Sequence, residues 1–109
     1  MYKIIIIISE RMLYIYKDMT LIKYYKIAIG KPSTPTPVGN FKILQKIKNP
    51  GGPFGTRWMR FYKSYGIHGT NNPSSIGKDV SNGCVRMYNK DVEEVYDLVT
   101  IGSPVQIIN

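Results

Sequence analysis

Residues 65–86 read YGIHGTNNPSSIGKDVSNGCVR, and we expect the fold to be built around this stretch. It contains the only histidine, His68, and the only cysteine, Cys84, sixteen positions apart. The residues around both are mostly glycine, asparagine, serine and proline, which let a backbone turn tightly or approach a ligand closely. A thiol and an imidazole at the two ends of one ordered loop could therefore meet as a nucleophile and its base.

Both residues also have simpler interpretations. A lone cysteine is usually a small buried hydrophobe, and a lone histidine usually has a structural or surface role. Zinc is usually bound by three or four Cys, His or carboxylate ligands, and this stretch offers one residue of each kind, Cys84, His68 and Asp79, so we do not expect a metal ion. We expect no cofactor either. The local setting favours catalysis, because Cys84 follows Gly83 at a bend where backbone N–H groups can converge, as an oxyanion hole requires.

The motifs in this chain resemble those of a known family. His68-Gly69-Thr70 followed by SNGCVR at 81–86 is similar to the signature of the L,D-transpeptidase (YkuD-type) family, in which HG precedes S-x-G-C-[IV]-R. TPVGNF at 36–41 resembles the T-P-x-G-x-F segment of the family, and GTRWM at 55–59 resembles its strand before the histidine. The resemblance extends from Ile4 to Ile108. One departure is Asn82, where many members have a histidine.

This resemblance implies an acyl transfer on peptidoglycan stem peptides, which would be the partners of the enzyme. Cys84 would attack the bond between the third, diamino-acid residue of a tetrapeptide stem and its terminal D-Ala, giving a thioacyl-enzyme. An amine acceptor from the third residue of a neighbouring stem would then give a 3→3 cross-link. A water acceptor would make the same site an L,D-carboxypeptidase, and the sequence leaves the two acceptors open.

Within this mechanism, His68 would take the thiol proton and later give it to the departing amine. The resemblance implies that the backbone carbonyl of Gly69 fixes the tautomer of the imidazole. The backbone N–H of Cys84, together with its neighbour Gly83, would stabilise the oxyanion. We also expect the adjacent imidazole to lower the pKa of the thiol below its ordinary value.

Further residues are predicted to contact the substrate. Arg86 lies two positions after the sulfur, and in an extended segment this spacing puts both on one face. Its guanidinium could hold a carboxylate of the substrate, and a structural ion pair is the equal alternative. Ser81, Asn82 and Thr70 complete the predicted substrate-binding set.

The composition limits the partners further. The chain has 109 residues, a formal net charge of +8 and no acidic residue between Asp18 and Asp79. A surface of one sign concentrates an anionic polymer, such as nucleic acid or the bacterial wall. No nucleic-acid-binding motif is present, so we expect no nucleic-acid partner. A non-catalytic wall- or nucleic-acid-binding β module is the alternative of a different class, and it would not need His68 and Cys84 together.

The length and the hydrophobic pattern predict one domain, residues 1–109, that is mostly β with one packed α-helix, and we expect it to be a monomer. The resemblance implies that it is a YkuD-like sandwich or barrel of mixed strands. Lys3–Ser9 is nearly all isoleucine and indicates a strand buried on both faces. Further strands are predicted over 12–17, 21–29, 41–47, 57–62 and 104–108. The isoleucine-rich strand and the first two of these are expected to form an antiparallel meander. Asn89 would cap a helix with an apolar face formed by Val92, Val95, Tyr96 and Val99.

The expected substrate lies outside the cytoplasmic membrane. The isoleucine run is too short for a transmembrane segment or for a signal sequence with its cleavage site, so the sequence as given shows no export signal. We expect an extracytoplasmic location at the cell wall, with the spore wall as the alternative. The single cysteine excludes an internal disulfide and so does not indicate an oxidising compartment.

Overall fold

The computed structural model describes all 109 residues and contains eleven strands, one α-helix and three short 3-10 helices. The predicted class, mostly β with one packed helix, is confirmed. The helix α1 spans Asn89–Leu98, and the 3-10 helices span Ile8–Glu10, Gly52–Phe54 and Pro73–Ser75. The strands are β1 (Tyr2–Ile7), β2 (Met12–Lys17), β3 (Thr20–Lys26), β4 (Ile29–Gly30), β5 (Gly39–Lys42), β6 (Gln45–Lys48), β7 (Arg57–Tyr62), β8 (Tyr65–His68), β9 (Asp79–Ser81), β10 (Val85–Arg86) and β11 (Pro104–Ile108).

The first sheet has five strands in the order β3-β2-β1-β11-β5. The predicted meander is present, because β1 pairs antiparallel with β2 and β2 antiparallel with β3, while β11 pairs parallel with β1 on its other side. Ile4 and Ile6 are fully buried, whereas Ile5 and Ile7 on the opposite face are partly exposed. The expectation that this strand is buried on both faces is therefore wrong, because the core covers only one face of this mixed sheet.

The second sheet has four strands in the order β10-β8-β7-β6, and it packs on the first as an open sandwich, not a closed barrel. Eighteen buried hydrophobic residues form one continuous cluster between the sheets and under the helix. Helix α1 contacts β7 and β8, and its apolar face is the predicted one, with Val92, Val95 and Val99 buried. The helix therefore covers the back of the two strands that lead to His68.

Two predicted strands are interrupted. The strand predicted over 21–29 divides into β3 and β4, and Ala28 between them forms an isolated bridge with Arg86. The strand predicted over 41–47 divides into β5 and β6, which belong to different sheets. Fully buried Ile43 lies at the crossing, and its N–H donates to the carbonyl of Ser103. Alternation in the sequence does not reveal such a change of sheet, because side chains continue to point inward through it.

A small parallel pair joins β4 to β9, which immediately precedes the turn that carries Cys84. Arg11, in the turn before β2, forms a bidentate ion pair with Asp79 at the start of β9, with Nε–Oδ1 and Nη2–Oδ2 distances of 2.6 and 2.7 Å. Strand pairing and an ion pair with the first third of the chain therefore help to hold the loop between His68 and Cys84 in place.

The beginning of α1 differs from the prediction. The capping position is Tyr88, and no side chain accepts a hydrogen bond from the first turn of the helix. The expectation that Asn89 caps the helix is wrong, because its amide is instead hydrogen-bonded to backbone groups on either side of β7 and β8. Asp91 is the only acidic residue in the first turn, where a negative charge complements the helix dipole.

Candidate active site

The pairing of two short strands brings the predicted nucleophile and base together. β8 ends at His68, and β10 begins directly after Cys84. The two strands are parallel, with Ile67 opposite Val85 and His68 opposite Arg86. The N–H of Gly66 in β8 donates to the Cys84 sulfur at 3.4 Å. Cys84 therefore lies level with Gly66, two positions before His68 on the neighbouring strand, although sixteen positions separate Cys84 and His68 in sequence.

The bend before the sulfur requires a glycine. Gly83 has a φ of +116°, a conformation that residues with a side chain rarely adopt. A Cβ at this position would also lie 2.4 Å from Cε1 of Tyr65 in β8. Only the absence of a side chain lets the turn close onto β8 and present Cys84 beside it.

His68 is held as a neutral base. Its side chain is almost completely buried, with 3% exposure, and its Nδ1 is 2.5 Å from the carbonyl oxygen of Gly69. A carbonyl oxygen only accepts, so Nδ1 carries the proton and Nε2 is left with a free lone pair. Burial lowers the pKa of His68 to about 4, a shift that the Gly69 carbonyl opposes and the charge of Arg86 reinforces.

Two aromatic side chains enclose the imidazole. The indole of Trp58 stacks on it at a centroid distance of 5.7 Å, and Phe54 meets it edge-on at 5.1 Å. Phe54 comes from the connection between β6 and β7, outside the strands that the sequence predicted over 41–47 and 57–62. The sequence placed Trp58 in the strand before the histidine but did not reveal that the indole contacts His68. The only available signal was its position in the strand expected next to the histidine.

The resting thiol differs from the expectation. Burial raises the pKa of the Cys84 thiol, and the Gly66 N–H and the Arg86 charge oppose this only in part. The sulfur also lies 3.9 Å from the carbonyl oxygen of Ser64, to which a thiol proton can weakly donate. The predicted lowering of the pKa is therefore wrong, because the neutral imidazole supplies no positive charge to stabilise a thiolate.

The turn that carries the sulfur is organised by Ser81. Its hydroxyl donates to the carbonyl of Cys84 at 2.6 Å and accepts from the N–H of Gly83 at 3.1 Å. The N–H of Gly83 is thus engaged within the turn and is not a free oxyanion donor, whereas the N–H of Cys84 has no acceptor in the protein. The predicted oxyanion pair is reduced to the Cys84 N–H in this structure.

The predicted substrate-binding residues divide into two groups. Ser81 and Thr70 are each 3% exposed and hydrogen-bonded within the protein, so their hydroxyls are engaged in holding the loops, and their contact with substrate stays a prediction. Asn82 is exposed beside the sulfur and makes no side-chain hydrogen bond. Buried hydroxyls at these positions support the loops, a role that the sequence motif alone does not distinguish from substrate contact.

Arg86 has no carboxylate partner. Its Nη1 donates to the hydroxyl of Ser75 at 3.1 Å, and its Nε is buried without any partner. The ion pairs in the structure involve the N-terminus with Asp18, Arg11 with Asp79 and Lys23 with Glu94. The structural ion pair weighed as an alternative for Arg86 is therefore absent, and this cation lies close enough to His68 and Cys84 to affect the pKa of each.

The proline-containing loop after β4 borders the same turn. The N–H of Lys31 and the hydroxyl of Thr34 both donate to the carbonyl of Ser81, at 3.0 and 2.9 Å. The loop therefore lies beside the turn that carries the sulfur.

The structure brings no group of three or more His, Cys, Asp or Glu side chains together as metal ligands would be.

The sequence and the fold both match known proteins. Residues 1–107 match the model of the YkuD family, the L,D-transpeptidase catalytic domain. A Bacillus licheniformis protein named L,D-transpeptidase YkuD is 51% identical over 107 residues, covering 97% of this chain and 65% of that protein. The NMR structure of the catalytic domain of an E. faecium L,D-transpeptidase has a TM-score of 0.85 at 25% identity, covering 99% of this chain and 97% of that one.

A further structural match supports the fold alone. An L,D-transpeptidase structure from Mycobacterium smegmatis has a TM-score of 0.89 at 21% identity, covering 99% of this chain and 58% of that chain. The chain belongs to the family of L,D-transpeptidase catalytic domains, as the sequence motifs predicted. It spans 65%, just under two thirds, of the length of the B. licheniformis relative. Its single ten-residue helix is too short and too polar to cross a membrane.

Proposed function

We propose that this protein is a cysteine-dependent L,D-transpeptidase that forms 3→3 cross-links between peptidoglycan stem peptides through a thioacyl-enzyme on Cys84. One observation carries the proposal: β10, which directly follows Cys84, pairs in parallel with β8, which ends at a buried histidine whose Nδ1 is held by the Gly69 carbonyl, so that its Nε2 can accept a proton. Membership of the L,D-transpeptidase family supports the same reaction.

In the acylation step, Cys84 Sγ attacks the carbonyl carbon between the third stem residue and the terminal D-Ala. His68 Nε2 accepts the thiol proton as the S–C bond forms, since both groups are neutral at rest. The Cys84 N–H, which has no acceptor in the protein, donates to the developing oxyanion. When the C–N bond breaks, His68 returns the proton to the nitrogen of D-Ala, which leaves as a neutral amine.

In the second step, the side-chain amine of the third residue on a neighbouring stem attacks the thioester. His68 takes a proton from this amine, the C–S bond breaks, and the proton passes to the sulfur. The products are the cross-linked peptide and the resting thiol. If water attacks instead, the product is a tripeptide and the reaction is that of an L,D-carboxypeptidase.

Arg86 and Asn82 are the proposed substrate contacts. Arg86 carries a positive charge beside the sulfur without a carboxylate partner, which suits a carboxylate of the donor stem. Asn82 is exposed next to Cys84 and offers an amide to the peptide backbone of the substrate. The Gly69 carbonyl completes the catalytic group by keeping the proton of His68 on Nδ1.

The proposed location is the extracytoplasmic wall, with the spore wall as the alternative site of action, and the proposed state is a monomer. The net charge of +8 suits a polyanionic wall. A silent wall-binding module would not need a buried neutral base beside a thiol, which disfavours the alternative of a different class.

The test is incubation of the purified protein with a disaccharide tetrapeptide, followed by mass spectrometry of the products. The wild type should release D-Ala and yield a cross-linked dimer, and Cys84→Ala should yield neither while keeping its thermal unfolding transition. The mass of the product distinguishes the two acceptors, since a dimer shows an amine acceptor and a tripeptide shows water. Turnover by Cys84→Ala close to that of the wild type would remove the sulfur from the mechanism.

A further inference from the structure

The side chain of Asn89 occupies an unusual position for a residue at the start of a helix. Its Oδ1 accepts from the backbone N–H of Thr70 at 3.0 Å and from that of Thr56 at 3.2 Å. Its Nδ2 donates to the carbonyl of Thr70 at 3.0 Å. A single amide therefore pairs with both backbone groups of Thr70, as a neighbouring strand would, and also with the residue before β7.

The peptide group between Gly69 and Thr70 links this amide to the base. Its carbonyl oxygen belongs to Gly69 and contacts Nδ1 of His68, while its N–H belongs to Thr70 and donates to Asn89. Because a trans peptide group is planar, its C=O and N–H point in opposite directions and rotate together. Asn89 therefore determines the direction of the carbonyl that holds the proton on Nδ1.

Two glycines make room for the amide. A Cβ at Gly69 would lie 2.1 Å from Oδ1 of Asn89, and a Cβ at Gly55 would lie 2.2 Å from the same atom. Gly55 also has a φ of +64°, which favours glycine. The backbone thus approaches Asn89 more closely on both sides than any residue with a side chain would allow.

The next turn of the helix continues this contact. Glu93, four positions after Asn89, accepts from the hydroxyl of Thr56 at 2.8 Å through its Oε2. Thr56 lies two residues after Phe54 and two before Trp58, the aromatic residues that enclose the imidazole. The first turns of α1 therefore hold both the loop that follows His68 and the segment that covers it.

We infer that Asn89 is a positioning residue for the base: by binding the Gly69–Thr70 peptide group, its amide keeps the proton of His68 on Nδ1 and leaves Nε2 free to accept the thiol proton. This role rests on the function proposed above. It assigns a catalytic contribution to a residue that touches neither the sulfur nor the imidazole.

The tautomer of His68 can be measured directly, because it is the only histidine in the chain. In protein labelled with 15N-histidine, the shifts of the two ring nitrogens report which one carries the proton. The wild type should show the Nδ1–H form at neutral pH, and Asn89→Ala should show a mixture of both forms. The rate of acylation by a carbapenem at neutral pH should fall about tenfold in the variant, the rate equivalent of roughly one hydrogen bond.

Asn89→Asp is the matched variant, since it keeps the oxygen that binds the Thr70 N–H, whereas the donor to the Thr70 carbonyl is replaced by a second carboxylate oxygen. It should retain the Nδ1–H form. Lys90→Ala, an exposed neighbour on the same helix turn, should match the wild type in both measurements. If Asn89→Ala does not fold, Asn89→Ser replaces it, because serine keeps a small polar side chain that is too short to bridge the same groups.

An unchanged Nδ1–H tautomer in the folded Ala or Ser variant would overturn the inference. So would an Asp variant with the same tautomer mixture as the Ala variant, because the oxygen would then be irrelevant. The tautomer measurement needs no turnover, so it remains decisive if the wild type proves inactive on stem peptides, a result that would contradict the proposed function alone.

Discussion

The indole of Trp58 lies nearly parallel to the imidazole of His68, with ring centroids 5.7 Å apart and an interplanar angle of 20°. The two residues face each other across the β7–β8 pair, in register. With Phe54 against the edge of the same ring, these side chains keep water from the imidazole. Desolvation disfavours the charged ring, and this is the main cause of its low pKa.

Replacing Trp58 with alanine should therefore raise the pKa of His68 from about 4 towards its ordinary value of about 6.5. The pH titration of the single histidine, followed by NMR, measures this change. Tyr24→Ala, at an exposed aromatic residue on β3, serves as the control and should leave the titration unchanged. A His68 pKa that stays near 4 without the indole would assign the desolvation to other groups.

The low pKa of His68 also predicts how stability depends on pH. Between pH 6.5 and 4 the unfolded chain binds a proton at His68 and the native protein does not, so the free energy of unfolding should fall as the pH falls. A shift from 6.5 to about 4 corresponds to a loss of about 3 kcal/mol across this window. Urea unfolding at several pH values measures it, and His68→Gln should lose much less over the same range.

The pH profile of acylation follows from the same shift. Because His68 stays neutral down to about pH 4, the rate of carbapenem adduct formation should hardly change between pH 7 and 5. Intact-mass spectrometry at timed intervals measures this rate, and digestion should locate the adduct on the Cys84 peptide. His68→Ala should react slowly near neutral pH and recover part of its rate at high pH, where hydroxide ionises the thiol. A fall in the wild-type rate centred near pH 6.5 would contradict a desolvated base.

Arg86→Lys should weaken the use of a donor stem that carries a free carboxylate. Lysine keeps the charge but loses the planar fork that binds a carboxylate through two hydrogen bonds, so kcat/KM should fall by roughly tenfold. The comparison uses donor stems with each carboxylate amidated in turn, and one amidated stem should be insensitive to the substitution. Lys17→Arg, an exchange of the same two residue types at an exposed position of β2 in the first sheet, is the control. Equal losses on every stem would assign Arg86 a structural role.

Binding to intact cell wall should decrease as salt increases. The stretch between Asp18 and Asp79 contains lysines and arginines but no acidic residue. Exposed charges are screened over about 10 Å at 0.1 M salt, so an electrostatic contact weakens steeply above that concentration. Sedimentation with purified sacculi measures the bound fraction. Binding that does not respond to salt, or that is far tighter to single-stranded DNA than to wall, would argue against the proposed partner.

The sequence motifs were sufficient to predict the family and the mostly-β fold, but not how each residue of the candidate site is held. His68 and Cys84 could be singled out because each lies in a turn-rich segment at the end of an apolar run, where functional residues are common. The burial of Ser81 and Thr70 could not be predicted from the motif, because the same residue types occur whether the hydroxyl stabilises a turn or binds a ligand. The raised pKa of the thiol likewise depends on burial, which emerges only from packing.

Asn89 shows a second limit of prediction from the sequence. Its position before an apolar helical pattern is typical of a cap, and the local pattern contains nothing that argues against this. Its actual partners are Thr70 and Thr56, 19 and 33 positions earlier in the chain. Long-range partners of this kind depend on the approach of the helix to the sheet, which is a property of the tertiary structure. The same reason explains why the division of residues 41–47 between two sheets was missed.

The central position of β1 and β11 in the first sheet has a consequence for how the protein comes to be folded. β1 is synthesised well before β11, yet each is the other's parallel neighbour. Until residues 104–108 are available, the isoleucine-rich edge of β1 and the edge of β5 have no strand beside them. Such edges readily pair with other chains. The main sheet therefore closes only after synthesis of this region is finished, and a chain interrupted before β11 should aggregate.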